Sequence, residues 1–305
     1  MQRSLRLPLA FAAALVALVL ASTAGATPTP PKKIDTDVKT PQVFRYKFKP
    51  GDTQRYDTVM AQAIKMDGAN SGMPPVDTTS TIKATMRTKT ESVDPEGAAT
   101  LTTTYDALEL AITQNGVQVD KSQVAPLEDM LRGMTSRSQM TDRGEPRDVK
   151  IDGQDQGMKQ LTESMKSALV GTNPVFPEKG LKPGESWAQK IPMNLAQGGL
   201  KLTINFDVKY TFLGFANVGD VRTAIFRTDV ESSMNDDANA LGNARFKVSG
   251  AGKGLGYLYF DPSRGTVVKS DLEMKQSTDM TVDAGQGPSS IKMTQTTSAT
   301  MDLKK

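Results

Sequence analysis

The chain has 305 residues, with 37 basic and 34 acidic side chains, no histidine and no cysteine. A chain of this length can bury a core without disulfides. The two missing residue types exclude Ser-His and Cys-His nucleophile systems, histidine-ligated zinc and a cysteine-acylated lipoprotein, and the balanced, interspersed charge offers no footprint for nucleic acid.

Residues 1–26 carry the three parts of an export signal. Arg3 and Arg6 supply the charge, Leu7 to Leu20 the apolar run, and Ala24-Gly25-Ala26 a small-residue cleavage pattern. The run is too short, and too soon followed by Ser22 and Thr23, for a membrane span, and no later stretch is long enough. The expectation is a soluble exported protein, periplasmic or extracellular, cleaved near Ala26 and without a transmembrane span. Cleavage lowers the basic count from 37 to 35 against 34 acidic residues. Thr27 to Gln42, with Pro28, Pro30, Pro31 and Pro41, predicts an extended linker before a single β-rich domain over 43–305.

From Val43 onward, period-two alternation in threonine-rich runs predicts half-buried antiparallel strands. Phe44, Tyr46 and Phe48 alternate with Arg45 and Lys47 before a turn at Lys49-Pro50-Gly51-Asp52. Strands are predicted from Thr53 to Met66, Thr78 to Val93 and Ala98 to Thr113, with turns at Asp94-Pro95-Glu96-Gly97 and Asn115-Gly116. In the third strand Leu101, Thr103, Tyr105 and Ala107 share one parity, while Leu108, Leu110 and Ile112 take the other. Such a change implies a β-bulge that moves the apolar face. The same change occurs where Phe212 is followed by Leu213 and Phe215, so a strongly curved sheet is expected.

The period then becomes helical. Val124, Leu127, Leu131 and Met134 predict one amphipathic helix, with Ser122 or Ala125 as its cap and Pro126 in its first turn. Met158, Leu161, Met165 and Leu169 predict a second. Between them, residues 136–152 read as a hairpin turning at Asp142-Arg143-Gly144. Strands are again predicted over 200–215, 221–234, 244–260, 266–282 and 290–303, with a hairpin turn at 261–265. Lys49-Pro50-Gly51-Asp52-Thr53 recurs as Lys182-Pro183-Gly184-Glu185-Ser186, which leaves open whether the domain consists of two related half-sheets.

Several patterns bear on function. Gly250, Gly252, Gly254 and Gly256 alternate along one strand face, where missing side chains allow close approach by a helix, a neighbouring strand or a ligand. They lack the strand-to-helix setting and Lys-Ser/Thr ending of a phosphate loop. The 16 methionines form no tight thioether cluster for copper(I) and read as adaptable filling of a core or a ligand groove. Asn235-Asp236-Asp237-Ala238-Asn239 lacks calcium-loop spacing and reads as an acidic hairpin loop. Val175 to Trp187 (VFPEKGLKPGESW) resembles the Phe-Pro, basic-spacer and Gly-Asp/Glu-Ser-Trp element of uncharacterised exported bacterial β-rich proteins of a domain-of-unknown-function family. Arg45-Tyr46-x-Phe48-x-Pro50-Gly51 is similar to the opening strand of the same proteins. The resemblance implies a curved sheet and no established activity.

The expected fold is α+β, mainly β: a strongly curved, half-barrel-like antiparallel sheet of roughly ten strands covered by two short helices. The expected role is a non-enzymatic envelope protein that binds an apolar, lipid-like ligand or a lipoprotein between sheet and helices. Candidate ligand contacts are Gly250, Gly252, Gly254, Gly256, Met130, Met134, Met165 and Trp187. The alternative is a structural or adaptor module docking a protein partner through its sheet edges, and a carboxylate-based glycan hydrolase comes third. No catalytic residue, metal or cofactor is expected.

Overall fold

The computed structural model describes residues 27–68, 73–152, 166, 173–197, 200–241, 244–283 and 288–304. The expected export signal and, apart from Lys166, the second expected helix with Met165 lie outside the described residues. Within them are β1 (Thr53–Gly68), β2 (Met73–Val93), β3 (Ala99–Gln114), β4 (Val117–Gln118), α1 (Lys121–Gly133), β5 (Thr135–Met140) and β6 (Pro146–Asp152). There follow β7 (Ser186–Gln197), β8 (Leu200–Val218), β9 (Val221–Leu241), β10 (Ala244–Asp261), β11 (Thr266–Asp283) and β12 (Pro288–Leu303).

The protein is mainly β. Its strands form one antiparallel sheet in the order β6-β5-β3-β2-β1-β12-β11-β10-β9-β8-β7, with β4 paired to β3. Chain neighbours lie side by side along most of this path. The exceptions are the pairing of β3 with β5 past β4 and that of β1 with β12, which sets Tyr56 opposite Leu303 and joins the first and last strands at mid-sheet. The sheet is therefore open between β6 and β7, and it is neither closed nor strongly curled, which corrects the half-barrel expectation.

Both expected bulges are present. Thr85 pairs with Ala107 and Met86 with Tyr105, so Asp106 is the extra residue in β3. Phe212 pairs with Phe226 and Gly214 with Ile225, so Leu213 is the extra residue in β8. Each insertion returns the following apolar residues to the inner face, which keeps Leu108, Leu110, Ile112 and Phe215 buried. A bulge bends its own strand locally, and two of them do not curl a twelve-stranded sheet.

Other expectations change in detail. Residues 43–49 are extended but belong to no strand, because the Tyr46 N–H donates to the Asp142 carbonyl and the Lys47 N–H to the Gly265 carbonyl, both at turns. Their alternation reflects burial in the core. The expected linker is bound to the sheet: Asp35 bridges Phe215 and Gln42 bridges Leu181. Residues 235–239, read as a loop, continue β9, and 235–238 pair with β10. Helix α1 starts two residues earlier than a Ser122 cap would set it. Asp120 is its cap, accepting from the Ser122 N–H at 2.8 Å, and Pro126 lies inside the helix.

Helix α1 covers the part of β3 that neither β4 nor β5 pairs. The Leu110 N–H donates to Glu128 Oε1 at 2.7 Å, and Arg132 donates to the Leu108 carbonyl at 3.3 Å. Backbone groups that would otherwise be buried without partners are thereby satisfied. Burial alone would raise the Glu128 pKa, but hydrogen bonds from Lys121 and the Leu110 N–H outweigh it and hold the carboxyl below its ordinary value. On the apolar side, Val124, Leu131 and Met134 pack on Ile82, Leu108, Leu110 and Ile112.

The largest core cluster lies at one end of the sheet. Phe44, Phe176, Phe212, Phe226 and Phe260 are all buried there. Phe44 has ring centroids 5.1 Å from Phe212 and 5.0 Å from Phe226, at the edge-to-face angles aromatic rings favour.

Candidate functional site: an uncharged inner-face cleft

On the inner face, β1, β2, β3, β11 and β12 form the floor of a cleft of about 360 Å³, with Leu131 of α1 and residues of β5 and β6 at its sides. Pleating explains its chemistry. Along β2, Ile82, Ala84, Met86, Thr88 and Thr90 face the cleft, whereas Lys83, Arg87, Lys89 and Glu91 occupy the alternate positions. Apolar side chains such as Met60, Leu108, Leu272 and Met301 share the lining with hydroxyls and amides. None of the lining side chains is Asp, Glu, Lys or Arg, although these make up 23% of the chain.

Two polar clusters and one lone hydroxyl belong to this surface. Thr88 and Thr103 hydroxyls are hydrogen-bonded at 2.9 Å. The Tyr56 hydroxyl donates to Gln54 Oε1 at 2.8 Å and lies 3.0 Å from Thr266 Oγ1. Thr58 Oγ1 is shielded from solvent and has no hydrogen-bond partner. Burial raises the pKa values of Tyr56 and Tyr105, so these phenols stay neutral at physiological pH. The arrangement can accommodate an apolar body and exchange hydrogen bonds with an uncharged polar group. It contains no acid–base pair, and no group of three or more metal-ligating side chains occurs among the described residues.

The residues expected at a site are divided between two places. Met130 on α1 and Met134 at its C-cap pack in the helix–sheet core, and of this group only Leu131 reaches the cleft. The four glycines lie on the inner face of β10 and do not line the cleft, although Gly256 pairs with its lining residue Leu272. A Cβ on Gly252 would lie 3.0 Å from Met274 Cε, and one on Gly250 would lie 3.3 Å from Met234 Cε, so methionine tips cover the stripe. Trp187 is half-buried and stacks on Tyr210, with ring centroids 4.9 Å apart and with its buried Nε1 unpartnered. Met165 lies outside the described residues.

The cleft residues themselves escaped the sequence reading. Their signal was present as strand faces that alternate between wholly uncharged and heavily charged, most clearly in β2.

No family model and no curated protein matches the sequence. Among solved structures, OccAB4 of Acinetobacter baumannii is similar at 10% identity over 84% of this chain and 99% of that one, with a TM-score of 0.21. A BenF-like porin from Pseudomonas fluorescens Pf-5 is 7% identical over 84% of this chain and 100% of that one, with a TM-score of 0.19. OmpT of Vibrio cholerae, also 7% identical, covers 85% of this chain and 99% of its own, with a TM-score of 0.17. Likeness at these scores supports no inference about fold or activity. No described helix is long and apolar enough to cross a membrane.

Proposed function

We propose that this protein is an exported, non-enzymatic carrier that holds an apolar, lipid-like ligand, or the acyl portion of a lipoprotein, between the inner sheet face and α1. The observation that carries the reading is the cleft: a concavity of about 360 Å³ with apolar walls and a few grouped polar side chains, the usual make-up of a small-molecule site. Docking through the sheet edges has less support. Edge strand β6 contains Pro146, Arg147 and Lys150, and edge strand β7 contains Pro192 and Lys190, which are devices that discourage strand addition.

Protein purified from its native host, extracted with organic solvent and examined by mass spectrometry, is expected to release an apolar compound in near-stoichiometric amount. Ala84→Trp is the matching variant, because Ala84 faces the cleft between Thr58 and Leu108. The indole should fill the cavity and abolish uptake of a fluorescent lipid while leaving the circular dichroism spectrum intact. An empty wild-type protein that takes up no lipid would rule the carrier reading out.

A further inference from the structure

We infer that the cleft selects an uncharged amphiphile, with a neutral polar head at a row of hydroxyl and amide side chains and its tail along the apolar rungs. This inference rests on the carrier reading and adds the chemical class of the ligand. Its basis is strand register. Gln54, Thr88, Thr103 and Ser136 stand side by side across β1, β2, β3 and β5, all facing the cleft. The next row toward the β2–β3 turn adds Thr90 and Ser138 on either side of Leu101. Six residues along β1, roughly 20 Å at strand rise, the rung is Met60 with Ile82 and Ala299. Leu272 extends it across β11.

The hydroxyl and amide rows are therefore gathered at one end of the cleft, beside Leu101 and Met140, and the other end is apolar. Hydroxyls and amides both donate and accept, so the polar row suits esters, alcohols and amides. The unpartnered, solvent-shielded hydroxyl of Thr58 lies between the two ends and has hydrogen-bonding capacity to spare. A carboxylate, phosphate or ammonium bound here would lose water without meeting an opposite charge, which is costly in a partly dry site. The charged side chains of these strands do not compensate, because they project from the opposite face: Arg55 and Arg87 both pair with Asp106.

The test uses three ligands with the same dodecyl-length tail, below their micellar concentrations and at neutral pH: 1-lauroylglycerol, laurate and dodecyltrimethylammonium. Titration of the mature wild-type protein is expected to give a Kd for 1-lauroylglycerol at least about tenfold tighter than for either ion, the order of penalty set by an unpaired charge. Thr103→Lys should narrow or reverse the preference over laurate by placing a cation in the polar row. Equal or tighter binding of either ion to the wild type overturns the inference and leaves the carrier reading standing. Binding of none of the three overturns both.

Discussion

Asp271 of β11 is the carboxylate whose surroundings oppose its charge most clearly. Burial raises its pKa to about 6; the hydrogen bond from the Tyr257 N–H and the charge of Lys269 offset this in part, and Asp302 reinforces it. The folded state thus binds the proton more tightly than the unfolded chain, whose carboxyl titrates near 3.8. The contribution of this group to stability is therefore most favourable below about pH 4, falls as pH rises through the interval to 6, and its penalty is complete above it. Two pKa units correspond to about 2.7 kcal/mol, and solvent screening of a partly exposed group reduces this to about 1 kcal/mol. Asp271→Asn keeps an oxygen for the Tyr257 N–H and removes the charge. It should stabilise the protein by about 1 kcal/mol at pH 7 and be neutral at pH 4, as read from denaturant melts at the two values. An unchanged difference across that range would assign the effect to something other than this carboxyl. Nothing in the local sequence distinguishes Asp271 from the other strand acids, because its environment comes from Tyr257 and Asp302 on neighbouring strands.

At the scale of elements, the glycine stripe is a packing device with a measurable signature. A Cβ on Gly252 would lie 2.6 Å from Ser232 Oγ and 2.9 Å from the Lys275 carbonyl, and one on Gly256 would collide with the Asp271 carbonyl. Backbone cannot yield as a flexible side chain does. Gly252→Ala should therefore cost about 1–3 kcal/mol through overpacking, whereas Ala251→Val on the exposed face should stay within about 0.5 kcal/mol. Thermal melts of the two variants would decide it, and equal midpoints would mean that β11 does not press on β10 as described. The alternation of the glycines was legible in sequence; what covers them was not, since Met234 and Met274 reach them from adjacent strands. The bulges at Asp106 and Leu213 were legible because a parity change within one strand leaves few alternatives. The start of strand β7 was legible in Trp187 just after a turn, but its extent was not, although Trp187, Ile191 and Met193 alternate, because Pro192 argues against a central strand. Its position at the sheet edge is where proline is tolerated. The residues 43–48 were read as a strand because burial and sheet pairing impose the same period of two.

For the whole molecule, the question is what makes twelve strands behave as one body. A sheet in which each strand contacts only its neighbours has nearly one-dimensional energetics and can unfold piecemeal. Here the extended segment before β1 provides the missing long-range coupling. Asp35 exchanges backbone hydrogen bonds with Phe215 of β8, and Gln42 with Leu181 before β7. Tyr46 and Lys47 bond to the β5–β6 and β10–β11 turns. Arg143 from the β5–β6 turn exchanges bonds with Phe176 at 2.8 Å each way, linking the approaches to both edge strands. The repeated Lys-Pro-Gly-acid turns are placed alike: Gly51 and Thr90 bond across β1 and β2 as Gly184 and Phe212 do across β7 and β8. The phenylalanines ahead of them, Phe44 and Phe176, meet with ring centroids 5.7 Å apart. Phe44 thus ties the segment before β1 into the core shared by β8, β9 and β10, and its removal should do more than leave a cavity. Phe44→Ala is expected to cost about 3–5 kcal/mol, and, because it cuts the coupling, to broaden or split a urea transition expected as a single step for the wild type. Tryptophan fluorescence follows Trp187 beside Phe176 and far-ultraviolet circular dichroism follows the whole sheet, so the two probes should coincide for the wild type and separate for the variant. A Phe44→Ala protein that loses stability while its probes remain coincident would show that strand pairing through β1 and β12 is enough to make the sheet cooperative.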